Sequence, residues 1–533
     1  MKIDIEKHCR RKDQARQAQR SGYMEYLLGL DIGTTHLKAG VFTVQGEPVV
    51  IRLASTPSRH LGEGKAIYDP EELWNSVSVL LREITGELQP RAHILSVGIA
   101  SMGEAGLLLD AQGKPLTPII AWHDSRGKES LDKWVHSFGV QHALSITGLT
   151  PDYIYSLMKL LWLKQHEPES ISRAHKWLCM MDYIIYRLTG EFATDYSIAS
   201  RTMLFDIKQR DWSPEVLKFA QLDTGLFPQA YPSGTVVGQV TKTASHSTGL
   251  DSGVLVCTGG HDHICGAFAV GVFEPGKALD SLGTAESLVV AYNDIPKLEP
   301  KAVKGFGVGC HVVDDIYYLL GSINASGLSV EWFKNEFGGV EGSLAKDRGL
   351  SIYDVLIEEA RQSPVGAKGL IFVPHMRGAG PPDPDPHSRA AFVGIRDYHE
   401  RRDFLRAVFE GLACEFASTL RQSEDALGLA VSKIQAIGGG TKNQLWMEIK
   451  SAVLDLPVEI PAVQESTLLG AALLGGLGAG VYRDGYEAFS ETYRMLYTYE
   501  PDPEVTKQYE AIYETYCQII PLTRQISQLV IGD

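Results

Sequence analysis

The pattern of apolar and polar positions switches along the chain between the period of a strand and that of a helix. Residues 26–31 and 36–42 are apolar runs joined by Gly33-Thr34-Thr35, which predicts a β-hairpin closed by a small-residue turn. Asp69-Pro70 offers an N-cap and a proline at the first helical position. Apolar residues then recur through Leu80, Leu81 and Ile84, which predicts a helix. Residues 95–100 and 107–109 read as further strands, and 156–165, 182–188 and 214–220 as helices. Strands alternating with helices place the chain in the α/β class.

Near residue 254 the pattern restarts. Residues 254–258 form an apolar run ending in Gly259-Gly260, and 277–281 with 287–290 give a second hairpin signal around Gly283-Thr284. Leu30-Asp31-Ile32-Gly33-Thr34-Thr35 and Asp280-Ser281-Leu282-Gly283-Thr284-Ala285 share the form of a strand ending in a Gly-Thr turn, so the halves read as related. A helix is predicted over 399–426, then a strand over 434–437, a Gly438-Gly439-Gly440 turn, and helices over 443–454 and 464–478. Tyr509, Tyr513 and Tyr516 fall on one helical face, a stripe that core packing explains. At 533 residues the chain is too long for one ordinary core. The boundary is placed near 250, giving an N-terminal domain over 24–250 and a C-terminal domain over 251–533.

Composition narrows the function classes. A formal net charge of −15 disfavours a nucleic-acid binder. Seven dispersed cysteines without a CxxC pair fit reduced thiols in a cytoplasm, and no stretch approaches a charge-free membrane span. The run 468–481, rich in Gly and Ala, reads as a tightly packed helix. Residues 1–23 carry Lys2, Lys7, Arg10, Arg11, Lys12, Arg16 and Arg20 without an apolar core, so they are no secretory signal and read as a dispensable extension ahead of Met24.

Five constellations carry candidate chemistry. In Gly29-Leu30-Asp31-Ile32-Gly33-Thr34-Thr35, small residues expose successive backbone N–H groups to phosphate oxygens, and Asp31 offers Mg²⁺ a carboxylate; a plain hairpin turn is the alternative. In Gly259-Gly260-His261-Asp262-His263, Asp262 lies past a Gly-rich strand end, where a base could accept a hydroxyl proton during phosphoryl transfer. It could instead be a helix cap. The flanking histidines lack a third metal ligand nearby. Gly283-Thr284 repeats the first turn. In Gly438-Gly439-Gly440-Thr441-Lys442-Asn443, glycines let a flat ligand lie on backbone, with Asn443 as a helix cap; a tight strand-to-helix turn is the plainer reading. Finally, Met102-Gly103-Glu104 and Trp122-His123-Asp124-Ser125-Arg126 set polar groups beside aromatics, as a sugar requires, although Asp124 and Arg126 also read as a structural ion pair.

Taken in order, these segments resemble the FGGY carbohydrate kinases of the actin-like and hexokinase-like superfamily. Lys159–Trp162, Thr194-Asp195-Tyr196-Ser197, Gly369-Leu370-Ile371-Phe372-Val373-Pro374 and Gly470-Ala471-Ala472 near Glu465 fit as well, so the resemblance runs from about Tyr26 to about Tyr516. It implies two ribonuclease-H-like domains with ATP and sugar in the cleft between them, cytoplasmic location and a homodimer. It implies Asp262 as base. Asp31, Gly33, Thr34, Thr35, Gly283 and Thr284 fall on the magnesium and phosphate positions, and Gly439 and Gly440, with Asn443 beside them, on the adenine side. Met102, Glu104, Trp122, Asp124, Arg126, His261 and Asp262 are the expected substrate contacts. The expected partners are ATP, Mg²⁺ and a small sugar, sugar acid or polyol, with no nucleic acid and no membrane.

The departures bear on the substrate. Glu104 stands where many ketopentose kinases have His and glycerol kinases have Glu, while Gly103 stands where the latter have Arg. Arg377-Gly378-Ala379 also departs from a Gly-Glu-Arg often found there. A glycerol- or tetritol-type kinase and a catalytically silent sugar sensor are therefore the competing readings. An ATPase machine of the chaperone or actin kind would need an added domain that the sequence does not display.

Overall fold

The computed structural model describes residues 24–295 and 298–530; the extension over 1–23 lies outside them. Two compact units emerge. Among the described residues, the first gathers 24–273 with 308–318 and 465–493; the second gathers 274–307, 319–464 and 494–530.

In the first unit the hairpin signal is realised as antiparallel strands Met24–Ile32 and His36–Thr43. A six-stranded sheet follows the order Val236–Gln239, Leu255–His261, Ala92–Ser101, Met24–Ile32, His36–Thr43, Pro48–Ser55. Side chains alternate across it. Leu28, Leu30 and Ile32 join a core with Leu73, Val77 and Leu81 of the helix Pro70–Glu87. That helix begins as its sequence predicts: Asp69 accepts bonds from the N–H groups of Glu71 and Glu72. Gly29 lies on the opposite face, beneath the helix Ser466–Ala479.

That helix is the tightly packed one expected from the 468–481 run. A Cβ at Gly29 would lie 2.0 Å from the Leu468 carbonyl oxygen, and one at Gly98 would lie 1.8 Å from that of Ala471. The two glycines are register neighbours on adjacent parallel strands. Glycine is required here because a helix backbone rests directly on a sheet backbone.

In the second unit the hairpin Lys277–Leu282/Glu286–Tyr292 is antiparallel, and its first strand runs parallel to Lys433–Ile437. The first unit has the same local topology, a hairpin whose leading strand pairs in parallel with a later strand. The repeat read from the sequence is therefore present in the architecture. The helices Arg401–Leu427, Gln444–Leu454 and Pro503–Val530 supply the second core, which buries Tyr509, Tyr513 and Tyr516.

The boundary differs from the one read near residue 250. Strand Leu255–His261 pairs in parallel with Ala92–Ser101, so 251–273 belongs to the first unit. Residues 465–493 also return to it, because the glycine face of its sheet needs the helix Ser466–Ala479 as a cover. Among the described residues, Cys179, Cys257, Cys265, Cys310 and Cys414 are buried thiols, and no helix is long and apolar enough to cross a membrane.

Candidate active site

Most of the predicted residues converge in the first unit. The strand Leu255–His261 runs through both glycines to His261, which caps the helix Asp262–Ala269. Asp262 is thus the first helical residue rather than the cap. Its Oδ1 accepts from the His263 N–H at 2.7 Å, and its side chain keeps 25% exposure, so the carboxylate is oriented yet reachable. The strand end is held by a motif singled out in the sequence without a role. Asp195 Oδ2 accepts from the Ser197 and Ser233 hydroxyls at 2.7 Å each, and Ser197 Oγ accepts from the His261 N–H at 2.8 Å.

Asp31 ends its strand on the face covered by Ser466–Ala479. Its Oδ1 is enclosed and has no hydrogen-bond partner. Burial first, then the neighbouring Asp262 charge, push its pKa up to about 8 against the pull of Lys38. Lys38, its register partner on the next strand, is paired with Glu465 at 2.6 Å. Thr467 Oγ1 donates to the Asp262 carbonyl at 3.2 Å. Two helices, Asp262–Ala269 and Ser466–Ala479, therefore begin beside this carboxylate pair, an arrangement that favours anionic ligands. The adjoining turn is pinned at its flanks, with Thr56 Oγ1 on the Gly33 carbonyl at 2.7 Å and Trp122 Nε1 on Thr34 Oγ1 at 3.1 Å, while Thr35 is exposed.

The residues expected on the sugar side meet the same locus. The Met102 N–H donates to the Ile32 carbonyl, placing the 102–104 segment beside the turn. Glu104 has φ +63°, and its Oε1 takes Arg201 Nε at 2.6 Å and Nη2 at 2.5 Å. Burial opposes the charge on Arg201, but Glu104, Tyr155 and Tyr318 raise its pKa above the ordinary value. Burial holds His261 neutral, with its pKa lowered to about 3.

Asp124 and Arg126 take the ion-pair reading. Asp124 is fully buried and accepts from Arg126 Nε at 2.8 Å and the Ala66 N–H at 2.8 Å, while Arg126 lies 4.8 Å over the Trp162 ring. Their geometry serves to hold the segment that carries Trp122. Lys159, in the Lys159–Trp162 motif, is buried and bonds the Trp122 and Ile154 carbonyls. Arg201, Lys38 and Tyr318 escaped sequence reasoning; Arg201 follows the Asp195–Ser197 motif closely, but its pairing with Glu104 spans 97 positions.

The second unit carries the other two predicted turns. Gly283, Thr284, Gly438 and Gly439 are exposed. A Cβ at Gly438 would lie 2.5 Å from the Leu282 carbonyl oxygen, so the glycine turn sits against the end of the strand leading to Gly283. Asn443 Oδ1 caps Gln444–Leu454 through the Trp446 N–H at 3.0 Å. Among the described residues no three His, Cys, Asp or Glu side chains gather as a metal cage. Elsewhere in the first unit, a groove of about 910 Å³ lined by Trp134, Phe138 and Phe219 shares no residue with this constellation.

Residues 26–269 match the N-terminal domain of the FGGY family of carbohydrate kinases, and 281–479 match its C-terminal domain. A xylulose kinase of Staphylococcus xylosus is 28% identical over 498 residues, covering 92% of this chain and 99% of the relative. An L-fuculokinase of Escherichia coli K12 is 31% identical over 499 residues, covering 91% and 99%. The solved gluconate kinase from Lactobacillus acidophilus superposes with a TM-score of 0.85 at 23% identity, covering 94% of this chain and 98% of that one. With both of the family's domains matched in order, this chain belongs to the FGGY family of carbohydrate kinases.

Proposed function

We propose that this protein transfers the γ-phosphoryl group of Mg-ATP to a hydroxyl of a small sugar, sugar acid or polyol, with Asp262 as the general base. The observation that carries this reading is the Asp262 carboxylate itself. It is fixed by the His263 N–H, partly exposed, and set beside the buried Asp31. Asp262 accepts the proton of the attacking hydroxyl, and the remaining work is positioning and charge stabilisation.

In the Gly33-Thr34-Thr35 and Gly283-Thr284 turns the glycine N–H groups close the turn on the His36 and Ala285 carbonyls, and the N–H groups of Thr34, Thr35 and Thr284 bind phosphate. Gly439 and Gly440 give adenine a flat backbone surface. Mg²⁺ fits Asp31, a hard oxygen donor with one unpartnered oxygen, and when bound it neutralises phosphate charge. Trp122 and Met102 line the acceptor side.

The test is ³¹P NMR of Mg-ATP incubated with the purified protein and a panel of ketoses, aldonates, polyols and deoxy-sugars. A phosphate monoester appearing in step with ADP, with one acceptor class, supports the reading. Inorganic phosphate without an ester, or sugar binding without ADP, refutes it and leaves an ATPase or a sensor respectively.

A further inference from the structure

The strand that delivers Asp262 to the site is irregular just before its end. Leu255–His261 pairs in parallel with Ala92–Ser101, and the register runs Thr258↔Ile99 and then Gly260↔Ala100. Gly259 is the extra residue of a β-bulge. A Cβ on it would lie 1.9 Å from the Ile99 carbonyl oxygen and 2.8 Å from the Ile99 nitrogen, so the bulge requires glycine. An extra residue exchanges the two faces of the strand for every side chain after it, which decides where His261 and Asp262 emerge.

The opposite flank of the strand changes at the same point. Val236–Gln239 pairs with it only as far as Cys257. The Thr258 carbonyl takes the Gly234 N–H at 2.8 Å, and the Thr258 N–H goes to the Thr235 carbonyl at 2.9 Å. Beyond Thr258, among the described residues, no strand continues on that flank. Ser197 stands in for one, and its Oγ accepts the His261 N–H at 2.8 Å. A serine hydroxyl has one proton. Here that proton goes to Asp195 Oδ2 at 2.7 Å, which leaves the oxygen free to accept. Asp195 is fully buried. Its Oδ2 also takes the Ser197 N–H at 2.8 Å and the Ser233 hydroxyl at 2.7 Å, and its Oδ1 takes the Ile198 N–H at 2.9 Å. Ser233 lies in the turn that holds Thr258, whose hydroxyl donates to the Pro232 carbonyl at 2.9 Å. One carboxylate therefore ties two segments around the bulged strand. Gly260 lets them close on it, since a Cβ there would lie 2.6 Å from Ser197 Oγ and 3.3 Å from Asp195 Oδ2.

The bonds of the Asp262 carboxylate itself are local. Its Oδ1 accepts from the His263 N–H at 2.7 Å and lies 3.4 Å from His261 Nε2. Sequence neighbours turn a side chain but do not fix where the backbone puts it. Thr467 holds the Asp262 carbonyl from the helix side at 3.2 Å, and the bond from His261 to Ser197 holds the strand side. We infer that Ser197, oriented by Asp195, is a positioning residue for Asp262, fixing the bulged strand end from which the carboxylate reaches the acceptor hydroxyl. This role rests on the kinase reading above.

The test is a double-mutant cycle on the full chain, read as acceptor-dependent ADP release with the acceptor that the panel identifies. A misplacement of about 1 Å costs about 10²-fold, so Ser197→Ala should lower kcat by about 10- to 100-fold while the KM for Mg-ATP moves less than about twofold. In an Asp262→Asn background the same substitution should change kcat by less than about twofold, because the group it positions is already gone. A loss of equal size in both backgrounds, a wild-type kcat in Ser197→Ala, or a KM for Mg-ATP that rises as far as kcat falls overturns the inference and leaves the kinase reading standing. If Ser197→Ala does not fold, Ser197→Cys is read in the same two backgrounds, since a thiol is a weak acceptor; equal losses again overturn the role. A folded Asp262→Asn enzyme at the wild-type rate, or no ADP release with any acceptor, brings down the kinase reading and this inference with it.

Discussion

Single residues show how position within a strand decides chemistry. Asp31 lies two positions before Gly33, whereas Asp280 lies three before Gly283. A one-residue offset in a strand sends a side chain to the opposite face. Asp31 accordingly reaches the site, while Asp280 is wholly buried with Lys450 at 2.5 Å, and Lys450 also bonds Glu286. The likeness between the two turns was legible in the sequence; the different fate of their carboxylates was not, because the partners are far apart along the chain.

His311 gives a pH prediction at the same scale. Its Nε2 donates to the Val272 carbonyl at 3.0 Å and its Nδ1 accepts from the Val313 N–H at 3.0 Å, a pattern that requires the neutral ring. Burial lowers its pKa from 6.5 to about 3. Between those values the unfolded chain binds a proton that the native protein does not. The stability is therefore fully present above about pH 6.5 and is lost as pH falls toward 3. From pH 6.5 to 5 the loss is about 2 kcal/mol for this group. Urea unfolding of His311→Gln should show a shallower decline over that window than the wild type; equal slopes would show that the ring is not held neutral.

Among elements, the helix Ser466–Ala479 is the part the sequence described best and located least. Its Gly- and Ala-rich composition announced close packing, but the partner strands lie more than 350 positions away, and only the register of Gly29 beside Gly98 reveals the seat. Gly98→Ala should cost about 3 kcal/mol, because its Cβ meets backbone that must shift as a unit; a cost near zero in chemical denaturation would contradict this seating. In the second unit, Lys450 anchors Gln444–Leu454 to the hairpin strands Lys277–Leu282 and Glu286–Tyr292 through two buried carboxylates. Lys450→Met should destabilise by about 3–5 kcal/mol, since it strands buried acids without a counter-charge. Restoring stability with Asp280→Asn and Glu286→Gln added would confirm that cause, and a single variant as stable as the wild type would exclude it.

At the scale of the whole molecule, the alternating strand and helix periods were sufficient for the α/β class and the paired hairpins, because those signals are local. The unit boundary was not legible near residue 250. It depends on Leu255–His261 entering the first sheet and on 465–493 returning to it, both long-range pairings. The same limit hid Arg201 from Glu104. A chain spanning residues 24–273 alone should therefore leave the Gly29/Gly98 face uncovered and show no cooperative thermal transition. A sharp melt from that fragment would mean that the returning helix is dispensable.

The proposed phosphoryl transfer depends on the Asp262 carboxylate. The decisive measurement is acceptor-dependent ADP release by the wild type and by Asp262→Asn, at saturating Mg-ATP and with the acceptor that the panel identifies. Loss of the carboxylate should lower kcat by about 10²–10⁴ with the fold intact. A folded Asp262→Asn enzyme turning over at the wild-type rate would contradict the assignment of Asp262 as the base.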